Sequence, residues 1–280
     1  MPFLPSRLQL VAVAVLCLPI SLAPSFGNEA DVETTPIRAL LITGGCCHDY
    51  DTQRQIIQDG LRERLNITFE VVQGDSTKTD ELAVYRDPDW AAGYDVVIHN
   101  ECYGDVVDED FVAGIVKAHL DGTPGVFIHC AMHSYRSSPA ADQWRSLIGL
   151  TSRRHESKHP VTVRPEQPDH PILRDFPTEW ATDQGELYIV ERTWPGCDVL
   201  ATAIGNESVT PQPVLWTNTR GRTRVFGTTL GHYNGTMQHP NFLTTLAHGI
   251  EWVLDDAAGG DATERDTADG VGSDQPASAD

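Results

Sequence analysis

The fold is decided by the stretch Arg38-Ala39-Leu40-Leu41-Ile42-Thr43-Gly44-Gly45-Cys46-Cys47-His48-Asp49, in which an apolar strand runs into a glycine turn and a polar group. Two glycines permit positive φ angles and a close approach of the backbone to a ligand. An aspartate at this point can cap the helix that follows, and the free amides of that helix can bind an anion or a carbonyl oxygen. The stretch therefore predicts a strand–turn–helix unit, with Gly45, His48 and Asp49 as candidate site residues.

Two later strands end in the same way. Residues 95–98 run into His99-Asn100-Glu101, and residues 125–128 run into His129-Cys130-Ala131-Met132-His133. In an open parallel sheet, ligands bind beyond the carboxyl ends of the strands, where the strand order reverses. Polar groups delivered repeatedly to that edge predict one site, to which Glu101, His133 and the later His232 would contribute.

The order of elements predicts an α/β domain over residues 36–255. Asp108 can cap a helix that ends at Gly122-Thr123-Pro124, and the alternation of strands and helices implies right-handed crossovers and a parallel sheet. The second half is less regular, and several of its strands are expected to be antiparallel. The predicted helices cover residues 52–65, 141–148 and 240–254, and the further strands residues 67–72, 161–163, 186–190, 198–203, 214–217 and 224–230.

The two ends of the chain are read separately from this domain. Residues 1–27 have the charge, the apolar run and the small-residue cleavage site of a signal peptide, followed by a linker over residues 28–35. This predicts a secreted or periplasmic protein with no integral membrane segment after signal removal. A lipid anchor through Cys17 is disfavoured, because the bulky Leu16 before it fits a lipoprotein signal poorly. Residues 256–280 predict a disordered acidic tail, since Val271 is their only large apolar residue.

The charge and the cysteines limit the function classes. The 280 residues include 40 acidic and 20 basic side chains, and the formal charge of −20 argues against nucleic acid as a partner. Without Cys17, five of the six cysteines remain, and an odd number does not indicate a disulfide framework. Most of them are expected to be small, buried or half-buried side chains.

Three further segments offer site residues. Cys130 follows an apolar strand and could be a nucleophile at a strained elbow, but a buried cysteine in a turn is the simpler interpretation. The stretch 153–160, which contains His155, predicts a basic loop able to reach over the sheet edge. Glu186 and Tyr188 open a strand, and Tyr135 and Arg136 follow His133.

Taken together, these segments resemble the trehalose-utilisation, or ThuA-like, family over about residues 37–254. The residues that carry the resemblance are Gly44–Asp49, Gly125–His133, His159–Val163, Asp169–Ile172, Glu186–Tyr188 and Thr223–His232, in that order. The resemblance implies a class I glutamine-amidotransferase-like fold, which is a flavodoxin-like three-layer sandwich with a mostly parallel central sheet. It also implies a loose association with the catabolism of sugars through 3-keto intermediates.

An amidotransferase activity is not expected to accompany that fold. The glycines that flank the nucleophilic cysteine in amidotransferases are absent around Cys130, and His232 is followed by Tyr233 and Asn234 instead of Pro-Glu. We therefore expect an exported enzyme that acts on a small-molecule carbohydrate such as a 3-keto-glycoside. Its catalytic residues would be His48, His133, His232 and Glu186, and its substrate contacts Gly45, Asp49, Glu101, Tyr135, Arg136, His155 and Tyr188.

A metal is an alternative role for the same histidines. His48, His133 and His232 could hold a divalent cation such as zinc, together with Glu101 or Glu186, and zinc would polarise a carbonyl or activate water. Two other functions stay open at this point. One is a non-catalytic periplasmic sugar-binding or scaffold domain, and the other is a cysteine hydrolase that uses Cys130.

Overall fold

The opening stretch forms the strand β1 and the turn that leads into the first helix, as predicted. A computed structural model of the chain describes Met1 and residues 35–255. The predicted signal peptide, the linker before Thr35 and the predicted acidic tail lie outside the described residues. Among those residues, no helix is long and apolar enough to cross a membrane.

The main sheet has nine strands in the order β2-β1-β3-β4-β11-β10-β9-β6-β7. The first five are parallel to one another, and the other four alternate in direction. Because β9 and β7 point the same way as those five, seven of the nine strands share one direction. In chain order the strands are β1 Ile37–Gly45, β2 Ile67–Gln73, β3 Val96–Cys102, β4 Gly125–Ile128, β5 Leu150–His155, β6 Thr162–Pro165, β7 Trp180–Ala181, β8 Tyr188–Thr193, β9 Cys197–Ile204, β10 Gln212–Arg220 and β11 Thr223–Thr228.

Helices cover both faces of this sheet. They are α1 Tyr50–Arg62, α2 Glu109–Leu120, α3 Ala141–Ile148, α4 Asn234–Gln238 and α5 Pro240–Leu254. Alternate residues of β1 face opposite layers: Ala39 and Leu41 pack with α1 and α5, whereas Leu40 and Ile42 pack with α2 and α3. The predicted α/β three-layer sandwich with a mostly parallel central sheet is therefore confirmed.

Local signals account for the helix starts. Asp49 accepts a hydrogen bond from the Thr52 amide at 3.2 Å, and Asp108 accepts one from the Phe111 amide at 2.9 Å. Both aspartates satisfy amides that would otherwise have no partner at a helix start. The boundaries predicted for β4, α3 and α5 agree with the structure.

A separate two-stranded sheet was not predicted. β5 and β8 pair in antiparallel fashion, from Leu150 opposite Thr193 to His155 opposite Tyr188. The predicted basic loop over residues 153–160 is thus partly wrong, because Arg153, Arg154 and His155 belong to β5. This small sheet brings His155 and Tyr188 to the carboxyl end of β4, where the candidate site lies.

Candidate functional site

Three histidines meet beyond the carboxyl ends of three parallel strands. His48 follows β1, His129 follows β4 and His232 follows β11, while Glu186 approaches from the residues before β8. One ligand atom from each of these four side chains lies within 4.8 Å of all the others. The strand order reverses beside β1, since β2 lies on one side of it and β3 on the other. The group therefore occupies the position where open α/β sheets bind ligands.

The distances within this group suit a small cation. His48 Nε2 lies 3.0 Å from His232 Nδ1, and a carboxylate oxygen of Glu186 lies 3.2 Å from the same His232 atom and 3.6 Å from His129 Nε2. Zinc with ligands at about 2.1 Å in a tetrahedron separates neighbouring ligand atoms by about 3.4 Å. The observed spacings lie close to that value.

The backbone orients the ring of His129. Its φ of +48° places it in the left-handed region, at the sharp turn that ends β4. Its Nδ1 lies 2.6 Å from the carbonyl oxygen of Thr229, which can only accept a hydrogen bond. The proton of the neutral ring therefore sits on Nδ1, and the lone pair of Nε2 faces Glu186. A carbonyl partner on the remote nitrogen is typical of metal-binding histidines.

His48 has a comparable partner on its remote nitrogen. Its Nδ1 lies 3.2 Å from the hydroxyl of Tyr50. Burial, followed by the positive charges that His129 and His232 would carry, lowers the pKa of His48 to about 2. Burial also lowers the pKa of His129. Both rings are therefore neutral at physiological pH, which is the form that binds a metal.

Glu186 supplies the negative charge of the group. Burial alone raises its pKa, but the contacts with His129 and His232 outweigh that effect and hold the pKa below its usual value. An ionised carboxylate thus faces the lone pair of His129, and no proton is fixed between them. A cation would stabilise this arrangement of acceptors.

Three members of the group, His48, Glu186 and His232, form one wall of a cavity of about 250 Å³. His133, Arg136, His155 and Tyr188 line other parts of the cavity, as do four of the cysteines. A more open pocket of about 590 Å³ shares His48, Cys47 and His232 and continues along Asp49 and Asn234. The His48–His232 pair therefore separates two solvent-accessible spaces.

His133 lines the cavity but lies outside the cation group. Its Nε2 is 3.2 Å from the hydroxyl of Ser152, and its ring stacks on that of Tyr188 with centroids 4.2 Å apart. Burial is the largest cause that lowers its pKa, to about 3. The metal ligands predicted from the sequence were His48, His133 and His232. In the structure, His129 and not His133 lies beside His48 and His232. The first histidine of the His-x-x-x-His stretch follows β4 directly, and that position was the signal that could have identified it.

Glu101 and Tyr135 do not contact the cavity, contrary to the prediction. Neither side chain is exposed, and a carboxylate oxygen of Glu101 accepts a hydrogen bond from the Tyr135 hydroxyl at 3.1 Å. The other oxygen lies 3.1 Å from the Tyr85 hydroxyl and 2.8 Å from His99 Nδ1. The alternation along β3 explains this, because it turns Glu101, like Val97 and His99, towards the layer of α2 and α3.

Gly45 and Asp49 have structural contacts at the site's edge. A Cβ atom on Gly45 would lie 2.3 Å from the carbonyl oxygen of Cys102, and the φ of Gly45 is +96°. The glycine thus permits close approach to β3 instead of contact with a ligand. Asp49 caps α1 and also accepts a hydrogen bond from Asn234 at 2.8 Å, at the border of the open pocket.

Four of the cysteines form disulfides, which their odd number did not indicate, whereas the expectation that most of them are buried or half-buried is confirmed. Cys46 is bonded to Cys47, and Cys102 to Cys130, while Cys197 is the free cysteine of the described chain. The parallel pairing of β3 with β4 brings Cys102 and Cys130 together. With its sulfur in a disulfide, Cys130 is not available as the nucleophile of a cysteine hydrolase in this state.

The sequence model of the ThuA family, described as trehalose utilisation, matches residues 38–253. This chain belongs to the ThuA family. The match covers the whole nine-stranded sheet except the first residue of β1, and it includes all four members of the cation group. The predicted resemblance to ThuA-like proteins is thereby confirmed.

Solved structures support the fold of this ThuA-family protein. A putative ThuA-like protein from Parabacteroides merdae has a TM-score of 0.66 at 21% identity, covering 79% of this chain and 90% of the other. One from Bacteroides uniformis has a TM-score of 0.63 at 16% identity, covering 82% and 96%. A search of curated proteins found no match. At these identities the likeness concerns the fold alone.

Proposed function

We propose that this ThuA-family protein is an exported enzyme of carbohydrate catabolism that binds a divalent metal such as zinc through His48, His129, Glu186 and His232. The observation that carries the proposal is the convergence of three imidazoles and one carboxylate within 4.8 Å at the strand-end crevice. The signal-peptide pattern at the N-terminus supports export, and the family description, trehalose utilisation, supports a sugar as substrate.

The cavity wall offers the groups that a keto sugar needs. When bound, the metal would act as a Lewis acid on a substrate oxygen. Burial raises the pKa of Tyr188 well above its ordinary value, so its hydroxyl, which lies 3.4 Å from His129 Nε2, stays protonated and can donate a hydrogen bond. Arg136 and the half-exposed His155 lie at the same cavity and can bind sugar hydroxyls. A proton beside a sugar carbonyl is acidic, and its removal begins both isomerisation and elimination, while a metal-activated water would serve hydrolysis.

The test combines metal analysis with turnover. The purified protein should contain close to one equivalent of a divalent metal, or should acquire it on titration with zinc. Removal of the metal with a chelator should abolish turnover of 3-keto-glycosides, and its return should restore turnover. Sugar binding without turnover by the metal-loaded protein would indicate the non-catalytic binding domain instead. Absence of metal binding would contradict the proposal.

A further inference from the structure

The basic side chains at the cavity stand out against the charge of the whole chain. Lys78, Arg136 and Lys158 line it, and Glu186 is its only acidic lining residue. The full sequence has twice as many acidic as basic residues, so a chance selection of surface would favour carboxylates. Since Glu186 faces the histidines, its charge does not balance the three cations.

These three cations have no carboxylate partner within the described part of the chain. Eight other arginines and Lys117 form ion pairs, with a nitrogen and a carboxylate oxygen within 4.0 Å of each other. Other arginines of the described chain also lack such a pair, so what distinguishes Lys78, Arg136 and Lys158 is that all three line one cavity. Lys158 instead lies over the ring of Tyr233, with its Nζ 5.7 Å from the centroid. In a protein rich in carboxylates, three unpaired cations around one cavity are suited to an anion from outside.

The cations come from three separate segments of the chain. Lys78 follows β2, Arg136 follows the turn after β4, and Lys158 follows β5. Gly104 leaves room for Arg136, because a Cβ atom there would lie 3.1 Å from the Arg136 Nε. The fold therefore brings positive charge to the cavity from several sides, which focuses the field on its interior.

We infer that the carbohydrate bound at this site carries an anionic group, a carboxylate or a phosphate, which contacts Lys78, Arg136 and Lys158 while the sugar ring faces His48 and His232. This inference rests on the proposed function and names its substrate class. A planar guanidinium binds two oxygens of either anion at once, and the two ammonium groups add charge without fixed geometry. The positive charge of Arg136 also contributes to the lowered pKa of His133, after burial and His129.

The experiment compares the binding of three sugars to the metal-loaded protein by calorimetry. D-Glucuronate carries a carboxylate, D-glucose 6-phosphate a phosphate, and D-glucose no charge. At least one anionic sugar should bind about tenfold or more tightly than glucose, the scale of a charge-assisted hydrogen bond. Whichever of the two anionic sugars binds more tightly identifies the anion as a carboxylate or a phosphate. The ratio of the affinity for the anionic sugar to the affinity for glucose should fall between about 50 mM and about 500 mM salt, because salt screens exposed charges.

Variants test the named side chains. Arg136→Gln should weaken binding of the anionic sugar by about tenfold and binding of glucose by less, because the guanidinium can also bind sugar hydroxyls. Lys158→Gln should weaken binding of the anionic sugar and leave glucose binding unchanged. Lys117→Gln on the exposed side of α2 is the matched control and should stay within about twofold of the wild type. Thermal melts of all variants establish that each is folded.

The outcomes separate this inference from the proposed function. If glucose binds as tightly as both anionic sugars while metal is bound, the inference fails and the proposed function stands. Inorganic phosphate that binds as tightly as glucose 6-phosphate would reveal an adventitious ion only and would also overturn the inference. If neither metal nor any sugar binds, both proposals fail.

Discussion

The ring of His129 donates its Nδ1–H to the carbonyl oxygen of Thr229 over 2.6 Å, and this hydrogen bond determines which nitrogen faces the candidate metal site. The other nitrogen, Nε2, is left with its lone pair 3.6 Å from the carboxylate of Glu186. A residue in the left-handed region at the end of β4 thus presents its side chain to the candidate metal site.

The first prediction concerns this histidine. His129→Ala should weaken zinc binding at least tenfold, because it removes one of four ligands, and competition with a chromophoric chelator measures the change. His133→Gln is the matched control from the same turn. Since His133 contacts Ser152 and Tyr188 instead of the group, its variant should keep the affinity of the wild type. Equal losses in both variants would contradict the assignment of His129.

The second prediction concerns Glu101. Glu101→Ala should destabilise the fold by about 3–5 kcal/mol, because it leaves the buried Tyr85, Tyr135 and His99 without their shared partner. Urea denaturation measures the loss, and Glu101→Gln should lose less since an amide oxygen still accepts. Zinc affinity should be unchanged in the glutamine variant. A stable alanine variant with impaired sugar binding would restore Glu101 as a substrate contact.

The third prediction concerns the disulfides. Cys102 and Cys130 are 28 residues apart, so the double change Cys102→Ser/Cys130→Ser should cost about 3–4 kcal/mol of unfolding free energy. The double change Cys46→Ser/Cys47→Ser is the control, and its effect should be far smaller because neighbouring residues close almost no loop. Urea denaturation without reducing agent measures the unfolding free energy of both double variants and of the wild type. Equal costs would show that loop closure is not the source of the stabilisation.

The fourth prediction concerns pH and His119. This buried ring donates from Nδ1 to the carbonyl of Thr123 at 2.8 Å, and burial followed by the charge of His99 lowers its pKa from 6.5 to about 3. Below pH 6.5 the unfolded chain binds a proton that the folded chain does not. Stability should therefore fall as the pH falls from about 6.5 towards about 3, by about 1.4 kcal/mol per pH unit for this group.

A glutamine can replace both hydrogen bonds of His119 without titrating. Urea denaturation between pH 7 and pH 5 gives the unfolding free energy at each pH. The slope of that free energy against pH should be shallower for His119→Gln than for the wild type, by the equivalent of about one proton taken up on unfolding. Lys117→Gln on the same helix should keep the slope of the wild type. An unchanged slope for His119→Gln would mean that this ring is not the source of the pH dependence.

The sequence by itself determined the layered α/β architecture. Apolar runs such as Arg38–Thr43 and Gly125–Ile128 specify strands, and the capping aspartates Asp49 and Asp108 specify helix starts, through short-range contacts alone. The same local pattern placed His48 and His232 at strand ends. Because parallel strands end at one edge, their convergence followed from the order of elements.

The tertiary structure decided which side chains face the site and which pair with one another. β3 turns Glu101 away from the cavity, and the turn after β4 directs His129 to the group that His133 was expected to join. The Cys102–Cys130 disulfide depends on the pairing of β3 with β4. The strand β5 is polar at its end and is held by its pairing with β8. These features arise from contacts between residues far apart in the chain, which the spacing of residues along the sequence does not encode.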